Sequence, residues 1–108
     1  MELLDTTAIA AINAYSRTAL QVAPTLFFEF HGSPSAVEEA ARAVQELAAD
    51  QGAGAFSWET TPEGRARLWE ARHTAYWAAR ALRPGCQGFP TDVCVPVSRL
   101  VGCVCSCV

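Results

Sequence analysis

Arg65-Ala66-Arg67-Leu68-Trp69-Glu70-Ala71-Arg72-His73-Thr74-Ala75-Tyr76-Trp77 decides how this chain of 108 residues is read. At 100° per residue, Leu68, Trp69, Ala75, Tyr76, Ala79 and Leu82 gather on one side of a helix, and Arg72 falls near the middle of that apolar stripe. A guanidinium keeps its charge at any ordinary pH, so a desolvated one needs a carboxylate, a phosphate or another small anion. Two kinds of partner are open. An internal carboxylate would make a buried ion pair, and Glu29 is one candidate. A substrate carboxylate would instead be gripped through two nitrogens, with Trp69 and Tyr76 one turn before and after as apolar walls.

Working outward, Thr61 with Pro62 and Glu63 opens this helix, which runs to about Leu82 before Pro84-Gly85 closes it. Upstream, Val37, Ala40, Ala41, Val44, Leu47 and Ala48 keep helical spacing, and Gly52 is placed to terminate that helix. It opens either with Ser33 capping and Pro34 at the first helical position, or with Ser35 and Glu38 as a capping box. Leu4, Ala8, Ile12, Tyr15 and Ala19 predict a first helix over residues 4 to 19, with Asp5 as a possible cap. Between the first two helices, Leu26, Phe28 and Phe30 alternate with Phe27, Glu29 and His31, the pattern of a strand with one buried face. Ala55-Phe56-Ser57-Trp58 and Asp92-Val93-Cys94-Val95-Pro96 predict two further strands. Helix and strand thus alternate three times. An α+β fold follows, with a ferredoxin-like arrangement of a small, mostly antiparallel sheet and helices packed on one face as its natural member.

Composition narrows the function. Half of the residues are hydrophobic and 18% are charged, the balance of a globular chain that folds as one small domain. A net charge of −3 without any basic stripe argues against a nucleic-acid partner. No stretch approaches 18 uncharged apolar residues, so no membrane span is expected. The N-terminus shows neither a signal-peptide pattern nor an Arg-rich transit segment. Cys86, Cys94, Cys103, Cys105 and Cys107 make an odd count with no CxxC pair, which favours a reducing setting over a secreted disulfide framework.

Other chemistry-bearing residues have ordinary explanations. His31 and His73 stand alone and match no metal-ligand spacing. Asp92 heads its segment and can serve turn hydrogen bonds, while Tyr76 and Trp77 suit packing as well as ligand contact. If extended, Cys103-Val104-Cys105-Ser106-Cys107 would set three thiols on one face, without a second cluster to complete a soft-metal site.

Met1-Glu2-Leu3-Leu4-Asp5, Ala23-Pro24-Thr25-Leu26-Phe27-Phe28-Glu29-Phe30-His31-Gly32, Phe56-Ser57-Trp58, Leu68-Trp69-Glu70-Ala71-Arg72-His73, Arg83-Pro84-Gly85-Cys86 and Thr91-Asp92-Val93-Cys94-Val95-Pro96 resemble the C-terminal cap domain of FAD-linked oxidases. The likeness is marked to the D-lactate dehydrogenase branch, mitochondrial in vertebrates. It covers residues 1–100 in uninterrupted order, and the divergent Cys-rich tail is 101–108. The resemblance implies FAD-dependent oxidation of a D-2-hydroxy acid such as D-lactate to the 2-oxo acid, with electrons passing to cytochrome c or another acceptor. It also implies that Arg72 holds the substrate carboxylate and that Tyr76 lies beside it as a pocket wall.

The same family carries a flavin-binding domain and a His-x-Gly-Asp-Gly-Asn-x-His run that holds a divalent metal. Neither is found in these 108 residues. The expectation is therefore an incomplete cap domain, a fragment that carries the carboxylate-binding helix and is inactive alone. A noncatalytic ferredoxin-like module that binds a small anion or a partner subunit is the alternative.

Overall fold

Three side-chain caps set the helices. In a computed structural model, which describes residues 1–106, Asp5 Oδ1 accepts the Ala8 N–H at 2.7 Å and opens α1 (Thr6–Ser16). Ser33 Oγ accepts the Ala36 N–H at 3.4 Å at the start of α2 (Pro34–Asp50). Thr61 Oγ1 accepts the Gly64 N–H at 3.1 Å and opens α3 (Pro62–Ala81). Each cap satisfies a donor that lacks an intrahelical partner, and Pro34 and Pro62 occupy first-turn positions where a missing N–H costs nothing. Of the two possible starts for α2, the Ser33 cap is the one formed. After α2, Gly52 adopts φ 76°, a left-handed turn that glycine enters without steric cost.

The sheet has two strands. β1 (Glu2–Leu4) pairs antiparallel with β2 (Thr25–Phe27), placing Glu2 opposite Phe27, Leu3 opposite Leu26 and Leu4 opposite Thr25. Between them, Asn13 folds the chain back after α1: its Oδ1 accepts from the Leu20 N–H and the Thr18 hydroxyl, while its Nδ2 donates to the Leu20 carbonyl. This closes the connection that returns β2 to β1.

The core lies between α1 and α3. Ile9 and Ile12 are fully buried, and Ala11 and Ile12 cluster with Ala71 and Ala78 of α3. Leu4, Leu20 and the half-buried Ala75 pack against that cluster. Small side chains on α3 let the two helices approach closely, and Ser16 Oγ bonds to Thr74 Oγ1 at 3.0 Å across the seam. By contrast, α2 buries fully only Ala41. The radius of gyration is 15.4 Å, against about 13 Å for a compact chain of this length.

Several expectations are corrected. The architecture is a small α+β fold, but among the described residues the sheet has two strands, fewer than a ferredoxin-like arrangement contains. Residues 55–58 and 92–96 form no strand: β propensity needs a neighbouring ladder, and none lies beside these segments. The first helix begins at Thr6, because residues 2–4 pair as β1 instead. It ends at Ser16, where Arg17 takes a left-handed φ of 54°. β2 stops at Phe27, and Leu26 is half exposed while Phe28 and Phe30 stack with ring centroids 6.1 Å apart. The tail is helical, not extended: a 3-10 turn (Val97–Arg99) leads into α4 (Leu100–Ser106), carrying Cys103 and Cys105. The remaining thiol of that expectation, Cys107, lies outside the described residues.

Candidate functional site

The buried line of α3 is made of small residues. Gly64, Ala71 and Ala78 are buried at seven-residue intervals, with Ala75 between the last two. Arg72 therefore sits roughly 90° around the helix from the seam with α1, at its flank. Its side chain keeps 44% of its surface exposed. The apolar stripe drawn around Arg72 is thus corrected: the large residues that seemed to define it flank the true contact line, which alanines form because α1 leaves little room.

At that flank, β1 supplies a partner. Arg72 Nε donates to Glu2 Oε2 at 2.5 Å, and the two terminal guanidinium nitrogens donate no hydrogen bond among the described residues. The hydrogen bond from Arg72, aided by its charge, holds the Glu2 carboxyl below the ordinary glutamate range, and Glu2 in turn raises Arg72. An ion pair is present, but its acid is Glu2 and it is not buried. Glu29 instead lies 3.6 Å from His31 Nε2 at the surface.

One turn further along α3, Tyr76 is 42% exposed on the same side of the helix as Arg72. Its hydroxyl donates to the Gly88 carbonyl at 3.4 Å, and its ring meets Trp77 edge-on with centroids 5.2 Å apart. A Cβ at Gly88 would come within 3.0 Å of the Tyr76 ring, so glycine is what lets the 85–90 loop lie against it. The Arg80 guanidinium carbon stands 5.9 Å from the Tyr76 ring centre and 5.5 Å from that of Trp77, within cation–π range. Arg72 and Tyr76 thus share one exposed surface, positioned by a helix whose other side is locked into the core.

Trp69 does not join them. It faces a separate open cavity of about 960 Å³, together with Leu68, Phe28, Phe56, Val37 and Ala48. Arg72 and Tyr76 do not line this cavity. Glu29, Glu38 and Glu59 stand at it against the single arginine Arg65. That set does not fit a flavin dinucleotide, whose diphosphate calls for positive charge or a glycine-rich loop leading into a helix. Nor do the residues fit a resident divalent metal. His31 lies in the loop between β2 and α2 and His73 on α3, Asp92 is exposed outside any strand, and among the described residues no three His, Cys, Asp or Glu side chains converge. No helix among the described residues is long and apolar enough to cross a membrane.

Comparison with known proteins gives this geometry a family. The model of the C-terminal domain of FAD-linked oxidases matches residues 1–106. The chain belongs to this family. It is 49% identical over 100 residues to the probable mitochondrial D-lactate dehydrogenase of Danio rerio, covering 93% of this chain and 20% of that protein. Similarity extends to the mitochondrial D-lactate dehydrogenases [cytochrome] of Arabidopsis thaliana and Kluyveromyces lactis. The first is 41% identical over 93% of this chain and 18% of the relative; the second is 34% identical over 92% of this chain and 19% of the relative. The chain therefore spans about one fifth of the length of the relatives it matches. Within this FAD-linked oxidase domain, Arg72 and Tyr76 stand out on α3, and Glu2 is the residue that periodicity missed. An acid one step into the apolar run Met1–Leu4 was the available signal, but three strand residues are too few to establish a face.

Proposed function

We propose that this FAD-linked oxidase segment is the substrate-carboxylate-binding part of a mitochondrial FAD-dependent dehydrogenase that oxidises a D-2-hydroxy acid, D-lactate foremost. Arg72 holds the carboxylate and Tyr76 forms an adjacent wall. The observation that carries this reading is the state of the Arg72 guanidinium. Glu2 engages Nε alone, so the two terminal nitrogens remain as an open fork at the protein surface, the geometry that pairs with both oxygens of a carboxylate. Seating the acid there fixes its orientation, which is where positioning contributes to the rate of oxidation.

FAD and a divalent metal belong to the whole oxidase in this reading, and both are held by residues other than those described above. Electrons leave to cytochrome c or another acceptor. The 108 residues alone are expected neither to bind flavin stoichiometrically nor to oxidise D-lactate, and both are measurable on the purified chain by flavin absorbance and by acceptor reduction. Robust turnover by the chain would overturn that part of the proposal. In a full-length oxidase containing this segment, Arg72→Lys is expected to lower kcat/KM for D-lactate by about a hundredfold or more, because an ammonium cannot reproduce a bidentate grip. Unchanged kinetics would refute the carboxylate role.

We further propose that the strongly oxidase-like segment is residues 1–100, with 101–108 as a divergent tail, although the family match itself runs on to residue 106. In support, the contacts of α4 are chiefly with the 3-10 turn just before it. Removing residues 101–108 is expected to leave the unfolding midpoint of residues 1–100 unchanged.

A further inference from the structure

Arginine side chains have long, flexible stems, and an unrestrained one loses much rotamer freedom when it captures a ligand. Arg72 is restrained beforehand. Its Nε is tied to Glu2 Oε2, and Glu2 is itself fixed because β1 pairs with β2, with Glu2 opposite Phe27. The backbone of Arg72 is fixed just as firmly, since the adjacent Ala71 is buried in the seam with α1. The guanidinium is thus anchored at its stem by one element and at its Nε edge by another. Only the outer edge remains to meet a ligand.

We propose that Glu2 is a positioning residue for substrate capture: by holding Arg72 Nε, its carboxylate orients the terminal nitrogens of the guanidinium toward an incoming 2-hydroxy-acid carboxylate. This rests on the reading of Arg72 as the carboxylate anchor. Glu2 does not touch the substrate; it acts through Arg72. A plain structural tie between β1 and α3 would affect all substrates alike. A positioning role acts selectively on substrates that present a carboxylate.

That selectivity is the test. In the full-length oxidase containing this segment, kcat/KM is measured for D-lactate and for its neutral amide, D-lactamide, in the parent, Glu2→Ala, Glu2→Gln and Arg72→Ala forms. Glu2→Ala is expected to lower the preference for D-lactate over the amide by about tenfold, within the range that misplacement of a binding group produces. Glu2→Gln keeps an oxygen acceptor for Nε and is expected to restore most of that preference, and it serves as the informative variant if Glu2→Ala does not fold. If Arg72→Ala abolishes the preference while neither Glu2 variant changes it, the role of Glu2 is overturned and the Arg72 assignment stands. If Arg72→Ala leaves the preference intact, the carboxylate assignment fails and the role of Glu2 fails with it.

Discussion

Ile12 of α1 and Leu47 of α2 are large aliphatic residues placed by the same helical periodicity, yet one is fully buried and the other is 64% exposed. Ile12 faces Ala71 and Ala78 across the α1–α3 seam, whereas from the apolar stripe of α2 Val37 and Ala48 border the open cavity beside Phe28 and Phe56 and Leu47 meets solvent. Amphipathic spacing shows which side of a helix is able to be buried; a complementary surface decides whether it is. The difference also explains where the candidate site sits. Arg72 and Tyr76 project from the flank of α3, which packs against α1 to form the core, so their backbone positions are set by that core. The cavity side offers more volume but less constraint.

The largest effect that would break this comparison concerns stability. Ile12→Ala removes a fully buried side chain and is expected to cost about 2–5 kcal/mol, whereas Leu47→Ala is expected to stay within about 0.5 kcal/mol, as exposed positions do. Urea denaturation of the two variants measures the contrast, and equal losses would mean that α2 is packed as tightly as α1. A somewhat smaller effect is expected from enlarging the seam. Ala78 is 1% exposed, so Ala78→Leu should overpack the contact and destabilise by about 1–3 kcal/mol. A neutral result would show that the helices have slack between them. Thr61→Ala should cost about 1 kcal/mol by leaving the Gly64 N–H without its cap, a local loss at the mouth of α3. Helical circular dichroism during unfolding is the readout.

How much of this was legible in the sequence follows from the same contrast. Helix starts were readable at Asp5, Ser33-Pro34 and Thr61-Pro62, because capping is local chemistry between residues three apart. The α+β class followed from alternating helical and strand-like patterns. What escaped was whatever depends on a distant partner. Residues 55–58 and 92–96 have strand-like composition but no ladder to join, while Glu2–Leu4 is too short to show a period and forms a strand because β2 lies beside it. The buried face of α3 departs from its apolar pattern for a related reason. Its large apolar residues point to a buried line through Arg72, whereas Ala71 and Ala78 carry it by leaving room for Ile12 of α1. Arg72 and Tyr76 were legible as candidates through their helical spacing and family likeness. Glu2, 70 positions away, was not, since only the pairing of β1 with β2 brings it to the helix.

The smallest effect tests whether order extends from the seam out to its flank. The Arg72 hydrogen bond holds the Glu2 carboxyl below its ordinary value. A depressed carboxyl binds a proton less readily in the folded chain than in the unfolded one. The stability contributed by the pair is therefore fully present above the unfolded glutamate value, and is lost as pH falls through the lower folded value. Both side chains are substantially exposed, at 44% and 35%, so solvent screening keeps that contribution small. Midpoint and energy are separate observables, however, and the midpoint remains measurable when the energy is not. Carbon-detected NMR titration of the Glu2 side chain should give a midpoint below that of an ordinary glutamate, returning to the ordinary range in Arg72→Ala. An unshifted midpoint in the parent chain would mean that the guanidinium moves freely in solution. Core packing would then end at the helix seam, and the orientation of the Arg72 fork would have to come from the substrate instead of from β1.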